Sequence, residues 1–154
     1  FPLIIFWESF HFYVVHRLLH WPPLFKIAHA PHHRNISIGP WSGFSMHPIE
    51  HLLYFSTFAI HLVIPSHPIH LFFHASFTAL AAITSHTGYT HLTINGKDAI
   101  ALGDFWHQLH HRYFDCNYGT ATMPWDKWFG SEHDGTPEAT ARVRELQAER
   151  RGNH

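Results

Sequence analysis

Nineteen of the 154 residues are histidine, and eight of them fall in three tight patterns. His16 and His20 stand four apart in "HRLLH". His29, His32 and His33 form "HAPHH", and His107, His110 and His111 form "HQLHH". Neutral imidazole is a strong ligand for transition metals. Residues four apart on a helix share a face and can grip one ion, whereas adjacent residues diverge by about 100°. One metal would rarely use both members of a His-His pair, but two neighbouring metals could each take one. The doubled HxxHH pattern therefore suggests a two-metal centre. Two ions with three or four imidazoles each need about eight. His86, in "SHTGY", is the candidate ninth ligand, with His91 close behind it.

An all-nitrogen ligand set excludes Mg and Ca, disfavours Mn, and suits Fe, Zn, Cu or Ni. A carboxylate di-iron bundle needs two Glu-x-x-His motifs and two further Glu. Only Glu8 and His11 have that spacing, so that class is excluded. Glu50 could accept from a ligand N–H, with His47 and His51 beside it as further outer partners. His61, His67, His70, His74 and His154 read as core or interface residues, and His11 and His133 are left unassigned.

The elements that must position these groups read as helices. Residues 1–20 form an apolar, aromatic helix that "WPP" stops, because proline cannot continue a helix. Residues 24–50 are punctuated by Pro and Gly and read as irregular, with a short helical turn over 29–33. "HPIE" at 47–50 reads as a helix start. Residues 51–64 and 69–85 are apolar and flank the turn "PSHP". As helices they would be about 21 and 26 Å long, short of the roughly 30 Å hydrocarbon core of a bilayer. They read as a hairpin that enters a membrane, or as a buried hairpin. An out-and-back hairpin would bring residues 16–50 and 86–130 to the same side, where the histidine patterns meet. Residues 86–130 are mixed. From Thr136 a polar helix follows, with Thr136 as its cap and Arg142, Arg144, Arg150 and Arg151 suggesting a cytoplasmic side. Trp125 and Trp128 read either as an interfacial anchor or as packing against the histidine region. The expected class is all-α: membrane helical hairpin or hairpins with a cytosolic-face, histidine-rich metal domain, divided as 1–135 and a polar tail at 136–154.

Composition agrees with burial in a core or in lipid. Hydrophobic residues are 45% and charged residues 14%, against about 25% charged in ordinary soluble domains. A net charge of −1 gives no basic field for nucleic acid. The one cysteine, Cys116, excludes both an internal disulfide and a Cys-based zinc site. The chain opens at Phe1 inside an apolar run, as expected of a piece of a longer protein, and no signal peptide is assigned. No G-x-G-x-x-G fingerprint for flavin or nicotinamide is present, so any electrons must come from a separate partner.

The order HxxxH, HxxHH, apolar hairpin, HxxHH resembles the fatty acid hydroxylase / sterol desaturase superfamily. "YVVHRLLH", "PWSGFSMHPIEHLLYFS", "SHTGY" and "HQLHHRYFDCNYGTATMPWDKWFG" extend the resemblance over roughly residues 5–130. It implies an integral-membrane di-iron oxygenase with His16, His20, His29, His32, His33, His86, His107, His110 and His111 as metal ligands. It implies two iron ions (zinc may substitute), O2-dependent hydroxylation or desaturation of a sterol or fatty acyl lipid, and electrons from a cytochrome b-type carrier or ferredoxin. The expected location is the endoplasmic reticulum or bacterial inner membrane, with the site on the cytoplasmic face. Further membrane helices before the first histidine pattern are usual in the family. A histidine-rich membrane metal-binding or transport protein is the alternative of a different class, and a soluble metal-binding domain is a third.

Overall fold

The computed structural model describes residues 1–36 and 38–152; Ser37, Asn153 and His154 lie outside them, and with His154 the expectation that it is no ligand. Helix α1 (Pro2–Leu19) begins with Pro at its first position and ends before Trp21-Pro22-Pro23. Those prolines open a second helical run instead of a loop. It comprises α2 (Pro22–Leu24), a π turn (Phe25–His29) and α3 (Ala30–His33). The expectation of irregular chain is corrected for residues 24–28, while the short helical turn expected over 29–33 is present. Pro22 and Pro23 start the run, where a missing N–H costs nothing. Pro31 then sits in the first turn of α3, and the chain widens ahead of it, with Ala30 N–H donating to Phe25 O.

A 3-10 turn (Pro40–Phe44) leads to the hairpin. Its first arm is α4 (Pro48–Phe55), a 3-10 turn (Ser56–Ala59) and α5 (Ile60–Val63); its second arm is α6 (Pro68–Thr84). Both arms open on His-Pro-Ile, and in both the histidine is the cap. His47 Nδ1 accepts from Ile49 N and His67 Nδ1 from Ile69 N, each at 3.2 Å. The arms are joined by Tyr54 Oη donating to Thr78 O at 3.0 Å, and by a chain in which His74 bonds Thr57 Oγ1 and His61. Helix α1 packs on the first arm through Trp7 Nε1 donating to Thr57 O at 2.9 Å, and on the second through Phe1 against Phe73.

The outer faces of these helices stay apolar and open. Leu3, Leu52, Leu62, Val63, Phe72 and Leu80 are each more than half exposed. Among the described residues, no helix is long and apolar enough to cross a membrane.

After the hairpin the fold departs from all-α. Strands β1 (His91–Ile94) and β2 (Lys97–Ala101) pair antiparallel, with Ile94 opposite Lys97. The turn is Asn95-Gly96, both at positive φ (52° and 74°), the type that matches strand twist. Helix α7 (Asp104–Tyr113) carries "HQLHH". A loop and the short α8 (Trp125–Trp128) follow, then α9 (Pro137–Gly152), whose Thr136 Oγ1 caps Ala139 N at 3.2 Å as expected.

Tyr13, Tyr118 and Trp125 form the core beside the site. Trp125 is buried there, its Nε1 donating to Ser9 Oγ at 2.9 Å, so it packs against α1. Trp128 is exposed.

Candidate metal centre

Nine histidines from five segments converge as two groups. His16, His20, His29, His33 and His110 form the first; His32, His86, His107 and His111 form the second. Within each group the candidate ligand atoms all lie within 4.8 Å of one another. Helix geometry sorts them. His16/His20, His29/His33 and His107/His111 are four apart and share a group. The adjacent pairs His32-His33 and His110-His111 are each divided between the two.

The rings point their Nε2 atoms inward. In the first group Nε2 to Nε2 separations are 3.1 Å for His16–His29, 3.0 Å for His29–His33, 3.1 Å for His33–His110 and 3.2 Å for His20–His110. In the second they are 3.0 Å for His86–His107 and 3.1 Å for His107–His111.

Backbone carbonyls fix which nitrogen carries the proton. His16 Nδ1 donates to Tyr118 O at 2.7 Å and His110 Nδ1 to Cys116 O at 2.6 Å. His86 Nδ1 donates to Ala82 O at 2.8 Å and His32 Nδ1 to Ser45 O at 3.3 Å. A carbonyl only accepts, so these four present bare Nε2 lone pairs to their groups. His29 Nδ1 lies 2.7 Å from Glu50 Oε1. With that proton donated to the carboxylate, the Nε2 atoms of His16 and His29 face each other without hydrogen between them.

Two lone pairs so close need a cation. Metal–imidazole bonds of 2.0–2.1 Å at right angles would set neighbouring nitrogens about 3 Å apart, the spacing seen. The residues present therefore fit a metal in each group, and the carbonyls and Glu50 are the outer partners that orient such ligands.

Burial keeps the imidazoles neutral, the ligand form. It lowers His20 and His111 to about 2, His29 to about 3, and His32 and His86 to about 4. His16, His33, His107 and His110 are pushed well below the usual imidazole range by the same desolvation, and then by neighbouring histidines.

The remaining histidines are elsewhere. His91 is exposed on β1. His47 and His67 are caps, and His51 stacks on Phe55. His61 and His74 bond each other, and His70 lies against Phe1. His11 Nε2 bonds Ser56 Oγ. His133 is buried and structural: its N–H donates to Asn117 Oδ1 at 2.7 Å, its Nδ1 accepts from Gly135 N, and its Nε2 bonds Thr140 of α9.

The loop after α7 was not singled out by sequence as site machinery, though it supplies two of the orienting carbonyls. Asn117 adopts φ of 52°, a left-handed conformation that Asn tolerates. Its Nδ2 donates to His133 O at 2.9 Å and Trp106 O at 3.2 Å. The carbonyls on either side, Cys116 and Tyr118, then reach His110 and His16. Asp126 closes the loop by accepting from Tyr118 N, Gly119 N and Ser131 Oγ. The "NYG" and "WD" letters were the available signal.

A cavity of about 460 Å³ touches both groups, at His16 and His29 of the first and His32, His86 and His107 of the second. Its walls away from the imidazoles are mainly apolar, including Phe12, Val15, Leu19, Phe77, Leu80 and Ile100.

The fold and site define a helical protein with two histidine groups that could each hold a metal ion. The fatty acid hydroxylase family model matches residues 1–131, and the chain belongs to that family. Delta(7)-sterol 5(6)-desaturases are similar to it. The one from Candida glabrata is 32% identical over 130 residues, covering 82% of this chain and 34% of that protein. The one from Candida albicans is 30% identical over 151 residues, covering 96% and 37%. The one from Saccharomyces cerevisiae is 31% identical over 128 residues, covering 82% and 34%. The chain thus spans little more than a third of the length of these curated relatives. No solved structure matches.

Proposed function

We propose that this chain carries the catalytic centre of a membrane-bound oxygenase that hydroxylates or desaturates a C–H bond of a lipid of sterol or fatty acyl type, using O2. The observation that supports this best is the apolar cavity of about 460 Å³ lined by members of both histidine groups. A lipid chain or ring system filling it would lie beside both.

The nine histidines are proposed as ligands of two iron ions, one per group, with zinc able to substitute. Bound iron would supply the O2 activation needed to remove hydrogen from an unactivated C–H bond, giving an alcohol, or an alkene after a second hydrogen is taken. The chain's own contribution is positional. The Cys116, Tyr118, Ser45 and Ala82 carbonyls and Glu50 hold the rings, and the apolar walls exclude water and align the lipid. Placement to within about an ångström decides between the two products.

Several further proposals follow from the same reading. Electrons come from an external cytochrome b-type carrier or ferredoxin. The exposed apolar faces of α1 and the hairpin rest in the lipid of the endoplasmic reticulum or a bacterial inner membrane, with the histidine-rich end on the cytoplasmic side. Residues 1–135 are the catalytic unit and 136–154 a polar tail. The sterol desaturase relatives favour a sterol.

Cells expressing the full-length protein or its His110→Ala variant, compared by lipid mass spectrometry and by metal analysis, test the reading. A new oxidised lipid with the wild type alone, and two metal equivalents falling in the variant, are expected. Undiminished product from His110→Ala would overturn it.

A further inference from the structure

Glu8 has no part in the histidine groups, yet it is among the most enclosed acidic residues of the chain, with 3% exposure. It lines the cavity and makes no hydrogen bond to any described residue. Of the other polar groups of the wall, Glu50 Oε2 and Trp106 Nε1 likewise have no hydrogen-bond partner, and others are engaged. Tyr54 Oη donates to Thr78 O, and Glu50 Oε1 holds His29. An unpartnered polar group in an apolar cavity is costly unless something that enters the cavity pairs with it. Glu8, Phe12 and His16 recur every four residues along α1, and all three line the cavity. The carboxyl therefore sits on the same helix face as a histidine of the first group, two steps of four residues and about 12 Å away along the axis.

We propose that Glu8 is a positioning residue for substrate, hydrogen-bonding the hydroxyl of a lipid alcohol whose apolar body runs along the cavity toward the histidines. The inference rests on the proposed oxygenase reading and narrows its substrate class. A hydroxyl is the polar group that suits a carboxyl in either state, accepting from the acid and donating to the anion. An ester carbonyl suits the acid alone, and a phosphate or carboxylate headgroup would be repelled by the anion. Burial raises Glu8 to about 7, so both states are populated near neutrality. The separation along α1 would then hold the oxidised carbon at a set distance from the hydroxyl.

The test measures equilibrium binding of labelled lipids to the full-length, iron-loaded protein in nanodiscs. Two matched pairs are used: a sterol with its 3-deoxy analogue, and a long-chain primary alcohol with the corresponding alkane. One neutral hydrogen bond is worth roughly 1 kcal/mol, so a roughly fivefold preference for the hydroxyl member of one pair is expected. Which pair shows it separates sterol from linear alcohol. Glu8→Leu should erase the preference, and Glu8→Gln, which keeps hydrogen-bonding capacity, should retain part of it. If Glu8→Leu loses metal, the unbranched Glu8→Met reads the same ratio. A wild type with no preference in either pair, or a preference that survives Glu8→Leu or Glu8→Met, overturns the proposal; so does equal weakening of both members of a pair, which marks a structural role. Absence of any oxidised product would remove the oxygenase reading, but the binding ratio is read without turnover and still decides Glu8.

Discussion

His33 and His110 stand 77 residues apart in the chain, and their Nε2 atoms lie 3.1 Å apart in the fold. Each is one member of an adjacent His-His pair, and the other members, His32 and His111, belong together in the second group. The two HxxHH patterns thus face each other across both groups. Removing one imidazole therefore affects one group first. His110→Ala should release metal from the first group before the second, giving a two-step loss in a chelator titration followed by metal analysis. A single concerted loss would mean that the groups are not separate sites.

Glu50 should tune affinity without being a ligand. Its Oε1 lies 2.7 Å from His29 Nδ1, and such outer partners typically contribute 10–100-fold to metal affinity or activity. Glu50→Ala is expected to weaken metal binding by about that factor, and Glu50→Gln, whose amide oxygen still accepts, by less. Competition against a chelator of known affinity measures both. Equal affinities for the wild type and Glu50→Ala would leave the contact without a role at the metal.

Asn117→Ala should destabilise the protein strongly. The substitution removes three side-chain hydrogen bonds, to Trp106 O, His133 O and His133 N, and places alanine at φ of 52°. Lost bonds and left-handed strain together amount to roughly 2–4 kcal/mol. Thermal unfolding reads the loss. Metal affinity should fall with it, because the flanking Cys116 and Tyr118 carbonyls no longer hold His110 and His16.

Much of this centre was legible because its grammar is helical. Spacings of four and the doubled His-His pairs need only the 100° step to be sorted, and they lie on helices α1, α3 and α7 with the π turn. The hairpin was legible from two apolar runs around "PSHP", and its out-and-back path is what carries His86 back to His107. Other features depended on tertiary facts that no local pattern states. His67 looked like a core residue and is a cap, because His-Pro-Ile at 67–69 repeats the start at 47–49. Residues 29–33 were legible as a helical turn, but the residues before them looked irregular, whereas a widened turn over Phe25–His29 absorbs Pro31 and brings His29 under His33. The β-hairpin had a visible signal in Asn95-Gly96 and in the alternating His91-Leu92-Thr93-Ile94, but its strands are only four and five residues long, too short for the period to stand out. Asn117 is a matter of direction: a single positive φ aims carbonyls, and letters alone do not show where a carbonyl points.

Gly43 tests how closely the turn before the hairpin must approach α6. A Cβ there would overlap Ala82 O, the carbonyl that accepts from His86 Nδ1. Gly43→Ala must push the two segments apart, an overpacking cost of roughly 1–3 kcal/mol. It should also loosen metal in the second group more than in the first, since His86 belongs to the second. Loss confined to the first group would contradict this coupling.

Acid should unfold the metal-free protein early, and metal should protect it. Histidines titrate near 6.5 when exposed, whereas burial holds His32 and His86 at about 4 and His29 at about 3 in the fold. Between those values the unfolded chain binds more protons than the folded one, so stability falls as pH falls. The contribution is whole above about 6.5, declines below it, and is gone by about 3. A bound cation removes the same protons from competition and adds its own binding free energy to the folded state. Thermal midpoints of metal-free protein should therefore drop from pH 7 to pH 5, while those of the loaded protein stay higher at both. Burial raises the carboxyls of Glu8 and Glu50 to about 7, which opposes this loss between about 7 and 4.5. A metal-free midpoint that rises on acidification would show that proton uptake by the fold outweighs the penalty on the buried imidazoles.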